Sequence, residues 1–183
     1  MIIVGIDPGS SDSGVVGYNS KNNSIEFSAH MSNNELIENL RGNFTIKKNK
    51  WDLVAIEDIE CMMLKVGKTT FDTCKWIGRF QEAYRTFSGK EALLISRGDE
   101  KIVICGCKTF VNPETGSRCG ILDKHIRLSL IEMFPETGGG RIPQIGTKKQ
   151  PGPLYGMSNH TWSALSVAIT ALEISKDKKK GIK

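Results

Sequence analysis

Residues 2–18, IIVGIDPGSSDSGVVGY, set one carboxylate, Asp7, at the end of an apolar run and follow it at once with a glycine-rich turn. Ile2, Ile3, Val4 and Ile6 are too apolar for a surface strand and predict a central strand buried on both faces. Pro8, Gly9 and Ser10 turn the chain, and Gly14 to Tyr18 predicts a second strand returning beside the first. A charge where a buried strand meets its loop is costly unless something compensates it. An Asp-Pro turn is a common structural use of an acid, so this stretch alone decides little about chemistry. Trp51 to Glu57, WDLVAIE, then repeats the logic: apolar and β-branched until it ends in an acid. Two buried strands that each end in a carboxylate are harder to ascribe to chance than one.

The rest of the chain arranges itself around these two strands. Ser24 to His30 alternates and predicts an edge-like third strand, which completes a meander. Asn34 to Leu40 predicts a short helix with Leu36, Ile37 and Leu40 on one face, and Asn43 to Lys50 a polar, basic connection. Thr69 to Phe87 predicts a long helix whose buried stripe is Phe71, Cys74, Ile77 or Gly78, and Tyr84. Ala92 to Ser96 predicts a fifth strand and Asp99 to Cys105 a short helix. Lys108 to Arg118 is rich in breakers and predicts an inserted turn. Leu122 to Phe134 predicts a helix with Leu122, Ile126, Leu130 and Phe134 inward, and Pro135 to Met157 a long loop. Ser158 can cap a last helix running to about Ile174, with Leu165, Ala168, Ile169 and Leu172 buried. The fold class is α/β: a mixed five-stranded sheet, an antiparallel meander then parallel strands, flanked by helices.

At 183 residues and 39% hydrophobic content the chain is long enough for one domain with a sizeable core and short for two. A formal charge of +5 and a pI near 8.9 favour a polyanionic partner. Lys47, Lys48, Lys50, Lys148, Lys149 and the tail from Lys176 to Lys183 hold much of the excess. No apolar run has membrane-spanning length and no leader precedes the first strand, which predicts a soluble, cytoplasmic protein. The five cysteines, Cys61, Cys74, Cys105, Cys107 and Cys119, are an odd set and predict reduced thiols. Cys105, Cys107 and Cys119 with His125 are an alternative zinc set, but Cys-x-Cys spacing is unfavourable for a knuckle and buried thiols are the default. Gly67-Lys68-Thr69-Thr70 ends like a phosphate loop, yet Met62 stands where the first glycine is required.

Asp7 and Glu57 should end adjacent strands, and His160 falls in the first turn of the last helix. Two acids and an imidazole at one sheet edge suit Mg²⁺ or Mn²⁺, which prefer oxygen ligands and retain waters. Two ions about 3.5–4 Å apart could activate a water and stabilise the leaving oxygen of a phosphodiester. Each residue also has a structural explanation: a turn former, a strand-end surface acid and a helix N-terminal hydrogen-bonder. Asp58, next along the strand, should face away from Glu57.

The segments GIDPGSSDSG, VAIEDIE, FDTCKWIGRF, LDKHIRLSLIEMF and GTKKQPGPLYGMSNHTWSALSVAITALE together resemble the RuvC family of Holliday-junction resolvases, in its phage-encoded branch. The resemblance covers nearly the whole chain in the right order. It implies a ribonuclease H-like fold over a single nuclease domain, 1–175, with a basic tail at 176–183. It further implies a homodimer and an Mg²⁺-dependent endodeoxyribonuclease of the crossover-junction type, with Mn²⁺ able to substitute. Branched DNA is then the partner, and the host cytoplasm the location if the source is viral. Asp7 and Glu57 match the family's first- and fourth-strand acids, and His160 falls where relatives carry Asp or His; the resemblance makes all three catalytic and metal-binding. The usual pattern has a further Asp where this chain has Ser163, so Glu60 and Asp123 are the candidate substitute ligands. Relatives also carry an aromatic wedge where this chain has Glu60, leaving Met62 or Met63 to open a junction. Lys124, Lys148 and Lys149, with Lys75 and Arg79 on the long helix, are the candidate phosphate contacts. A catalytically weak branched-DNA-binding protein is the alternative reading. A nucleotide-binding ATPase with the same sheet would need a second domain of similar size.

Overall fold

The computed structural model describes residues 1–42, 51–60 and 66–179. The basic connection at 43–50, the wedge candidates Met62 and Met63, Cys61 and the end of the basic tail lie outside the described residues. In chain order the elements begin with β1 (Ile2–Asp7), β2 (Asp12–Asn19), β3 (Ser24–Ser32), α1 (Asn33–Leu40), β4 (Leu53–Asp58) and α2 (Lys68–Ser88). They continue with β5 (Leu93–Ser96), α3 (Arg97–Cys105), β6 (Thr109–Val111), β7 (Arg118–Gly120), α4 (Asp123–Glu132) and α5 (Asn159–Lys179). Five strands form one sheet in the order β3-β2-β1-β4-β5, antiparallel across β1, β2 and β3 and parallel across β1, β4 and β5. No described helix is long and apolar enough to cross a membrane.

The twofold alternation of side chains along a strand splits the core into two layers. Ile3 on β1, Val16 and Tyr18 on β2, Ala55 on β4 and Ile95 on β5 pack with α3, α4 and α5 on one face. Val4, Ile6, Val15, Val54 and Ile56 pack with α1 and α2 on the other. Continuing the first series by two residues puts Asp7 after Gly5 and Glu57 after Ala55, so both acids share the α5 face of the sheet. β1 and β4 are parallel with Ile6 opposite Ile56, which makes Asp7 and Glu57 neighbours where both strands end.

Two glycines let α5 lie directly on the sheet. A Cβ on Gly5 would fall inside the carbonyl oxygen of Ala164 and 2.7 Å from the Ala168 nitrogen. A Cβ on Gly14 would strike the His160 backbone and come 2.8 Å from its Cβ. The N-terminus of α5, and His160 with it, is thereby set by what β1 and β2 lack. Thr161 Oγ1 accepts the Ser158 N–H at 2.8 Å, closing the helix start.

Several expected details are corrected. The α2 stripe runs through Thr73, Ile77, Phe80 and Tyr84. Phe71, six residues before Ile77, is then about a third of a turn off that stripe and is exposed, and Cys74 is exposed as well. Leu122 precedes the first turn of α4 instead of belonging to it and is exposed, whereas Ile126, Leu130 and Phe134 are buried as expected. The inserted turn is a β-hairpin: β6 pairs antiparallel with β7, and the breakers at 112–117 form its tip. Helix α5 runs on to Lys179, past the expected end near Ile174, with Lys176 paired to Glu173 at 2.7 Å. The 135–157 loop is tied by backbone hydrogen bonds, among them Gly139 N to Gln150 O at 2.9 Å and Leu154 N to Gln144 O at 2.8 Å, and Leu154 is fully buried.

Candidate active site

The carboxyl ends of β1 and β4 and the start of α5 bring three of the sequence-predicted residues together. Asp7 Oδ2 lies 3.0 Å from His160 Nδ1. An ionised carboxylate only accepts, so His160 Nδ1 is the donor in this contact. Asp7 and Glu57 are close enough to share a hydrogen bond. Burial, the charges of Glu100 and Asp7, and a hydrogen bond shared with Asp7 push the Glu57 carboxyl up to about 8, against a partial opposing pull from Arg97. Glu100, on the buried side of α3, is likewise pushed up to about 7 by burial despite the Arg97 guanidinium beside it.

The donor set fits a hard divalent cation. Two adjacent carboxylates, one of them held protonated near neutral pH by burial and by neighbouring negative charge, are what such an ion relieves, and Mg²⁺ is commonly held by one or two carboxylates plus waters and substrate phosphate. No group of three His, Cys, Asp or Glu side chains among the described residues closes around one point, so Asp7 and Glu57 carry the fit and His160 acts through Asp7. The same observation leaves Cys105, Cys107, Cys119 and His125 as separately engaged side chains: Cys105 faces Ser129, Cys107 the Cys105 carbonyl, and His125 Nδ1 accepts the Leu122 N–H.

The crowded acids make stability depend on pH. A carboxyl whose pKa is higher folded than unfolded lends stability that is complete below its unfolded value and is lost as pH rises through the folded one. For Glu57 and Glu100 that window runs from near 4.5 to about 8 and about 7 respectively. The metal-free melting temperature should therefore fall across this range. Added Mg²⁺ or Mn²⁺, which favours the ionised pair, should raise it more at pH 8 than at pH 6; calorimetry showing equal increments would remove the metal assignment.

Two clefts flank the acids. One, of about 530 Å³, is bordered by Asp7, His160, Ser163, Lys124, Arg97 and Asp123, among others. The other, of about 270 Å³, is bordered by Asp7, Glu57, Glu60, Arg97 and also Asp58. Asp58 accepts the Ile59 N–H at 2.9 Å, and strand parity puts it with Ile56 on the face opposite Glu57. The substitute ligands divide: Glu60 shares the smaller cleft with both acids, whereas Asp123 is taken up by the guanidinium of Arg97.

The candidate phosphate contacts also divide. Lys124 borders the larger cleft, and Lys148 and Lys149 are exposed on the short loop closed by the Gly146–Pro151 bridge. Lys75 is paired with Asp72 at 3.0 Å and Arg79 lies over the Trp76 ring at 4.6 Å; both border a separate cavity between α1 and α2. Trp76 Nε1 donates to the Ser10 carbonyl at 3.0 Å, which ties that helix to the Asp7 turn.

Four residues at the site escape the sequence reading: Arg97, Glu100, Arg127 and His30. Ser96 pairs with Asp58 across β5 and β4, so the residue after β5 had to emerge beside the strand-end acids, and an Arg there followed three residues later by Glu was the available signal. Arg127 lies one turn beyond Lys124 and covers the Trp162 ring at 4.7 Å. His30 sits opposite Gly14 on β3, and its ring stacks on that of His160 with centroids 5.2 Å apart. Nothing in the sequence near His30 marks it.

In sequence, no protein-family model and no curated protein matches the chain. In structure, it is similar to Thermus thermophilus RuvC in complex with a Holliday junction substrate, with a TM-score of 0.63, 12% identity and coverage of 100% of this chain and 97% of that one. A second Thermus thermophilus RuvC structure gives a TM-score of 0.60 at 15% identity, covering 96% of both chains. The fold is RuvC-like. The mixed sheet with helices on both faces is the one the order of elements predicted, and it matches the ribonuclease H-like fold that the resemblance implied. In this RuvC-like frame, Asp7, Glu57 and the start of α5 occupy one rim of the central sheet.

Proposed function

We propose that the chain is a structure-selective, divalent-metal-dependent endodeoxyribonuclease that cuts Holliday junctions or other branched DNA as a homodimer. The observation that carries this reading is the convergence of Asp7, Glu57 and His160, from three separated stretches, on one rim of a RuvC-like sheet. Asp7 and Glu57 are the ligands proposed for Mg²⁺ or Mn²⁺. Such a cation would supply Lewis acidity, lowering the pKa of a water and offsetting charge on the phosphodiester. His160 holds Asp7 in one orientation through its Nδ1–H. Lys124, Arg127 and Arg97 line the larger cleft and draw a phosphate backbone to acids that would otherwise repel it. No base-reading motif is present, so the shape of the branch selects the substrate. A two-fold junction offers two equivalent strands, and a two-fold dimer would offer two sites.

Cleavage of a panel of four-way, Y-shaped, flapped and linear DNAs in Mg²⁺ tests the reading. Nicking confined to branched members supports it; equal cutting of linear DNA, or none of any, defeats it.

One observation favours the weaker-enzyme reading. Ser163, not an acid, faces the larger cleft beside Asp7 and His160. If the ligand set is deficient there, Ser163→Asp should raise cleavage in Mn²⁺ by about tenfold and lower the Mn²⁺ concentration needed, measured by a metal titration. An unchanged or reduced rate would show the two carboxylates to be sufficient.

A further inference from the structure

Arg97, which opens α3, has three acids around one guanidinium. Nη1 lies 2.7 Å from Glu100 Oε2 and 3.9 Å from Glu57 Oε1, and Nη2 meets Asp123 Oδ1. The two ends of this arrangement differ. Glu100 is fully buried, and losing its partner would leave a core carboxyl without its ion pair, so the inner contact is an anchor. The Asp123 side chain is 87% exposed, and an exposed ion pair contributes little because water and salt compete for both partners. Arg97 borders both clefts, as Asp7 does, and it shares the larger one with Lys124 and Arg127. That cleft therefore presents three cations beside Asp7, and the one that also reaches Glu57, Arg97, is capped by an exchangeable carboxylate. A DNA phosphodiester offers the fork of a guanidinium two charged oxygens, as a carboxylate does, and it arrives as part of a polyanion whose other phosphates meet Lys124 and Arg127, so it can displace an exposed pair.

We propose that Arg97 holds the scissile phosphate of the DNA against Asp7 and Glu57, and that Asp123 is a placeholder on the guanidinium, displaced when the phosphate arrives. The proposal rests on the nuclease reading and adds to it the residue that receives the substrate. Glu100 is then a positioning residue, which keeps the guanidinium pointed into the clefts. Lys124 and Arg127 guide the neighbouring backbone.

The test is the equilibrium binding of a four-way junction, with Ca²⁺ replacing Mg²⁺ to suppress cleavage, across several salt concentrations. Arg97→Gln should weaken binding by about tenfold and lower the slope of log K against log salt by about one, with Arg97→Lys between it and wild type. Asp123→Asn should tighten binding by about threefold, and that gain should vanish in the Arg97→Gln background, because Asp123 acts through Arg97. Should Arg97→Gln alone fail to fold, Arg97→Gln with Glu100→Gln removes the unpaired carboxyl and is compared with Glu100→Gln. An affinity within twofold of wild type for Arg97→Gln, or an Asp123→Asn gain that persists without Arg97, overturns the proposal, and cleavage by the wild type would leave the nuclease reading standing. Binding that depends on Arg97 and Asp123 as stated, in a protein that cuts no DNA, sustains phosphate holding and defeats the nuclease reading instead.

Discussion

Asp7→Asn is expected to lower the rate of junction cleavage by roughly 10³-fold or more, while junction binding stays within a few-fold of wild type. Asp7 is the shared member of every relation at the site: it receives the His160 Nδ1–H, touches Glu57 and borders both clefts. An amide of the same shape keeps the packing but offers a cation one neutral oxygen in place of an anion. The loss of several kcal/mol of transition-state stabilisation follows from losing the ligand, not from losing the fold. The charge change also lowers the Glu57 carboxyl from about 8, though burial and Glu100 still hold it above its ordinary range. Single-turnover cleavage, junction binding and the melting temperature of the variant separate these effects. Retained cleavage would remove Asp7 from the chemistry, and lost binding with a lower melting temperature would make its role structural.

Gly5→Ala is expected to be the most destabilising single-methyl change in the sheet. The opposing atoms are backbone, the Ala164 carbonyl and the Ala168 nitrogen 2.7 Å away, so no side chain can rotate aside and α5 itself must lift. Overpacking of that kind costs about 3 kcal/mol or more, which for a chain of this size lowers the melting temperature by roughly 10 °C. Because α5 carries His160, cleavage should fall along with stability. Gly78→Ala is the control: it adds the same methyl on an exposed turn of α2 with nothing within 4 Å, and should stabilise by up to about 1 kcal/mol. Thermal unfolding of the two variants decides the matter; equal melting temperatures would mean that the contact between α5 and β1 yields more readily than its backbone packing implies.

The amino-acid sequence by itself determined the strand-end acids, the order of the five main-sheet strands and the helices, and the buried stripe of α5. These are local properties: an apolar run closed by a carboxylate and a 3.6-residue period are visible wherever they occur. The phase of α2 was not local in this sense, because Phe71 and Thr73 compete for the inside and only the position of the sheet beneath decides between them. The breakers at 112–117 announced a turn, while the pairing of Phe110 with Cys119 on either side of it depends on two three-residue strands too short to show a period. Only the tertiary structure decided that Arg97, Glu100, His30 and Arg127 belong to the site. Their places follow from strand register, from the parity that puts Asp7, Glu57 and His30 on the α5 face, and from two glycines that let a helix settle on the sheet. Each of these joins residues far apart in the chain, and such long-range contacts leave no mark in the local spacing of any one segment.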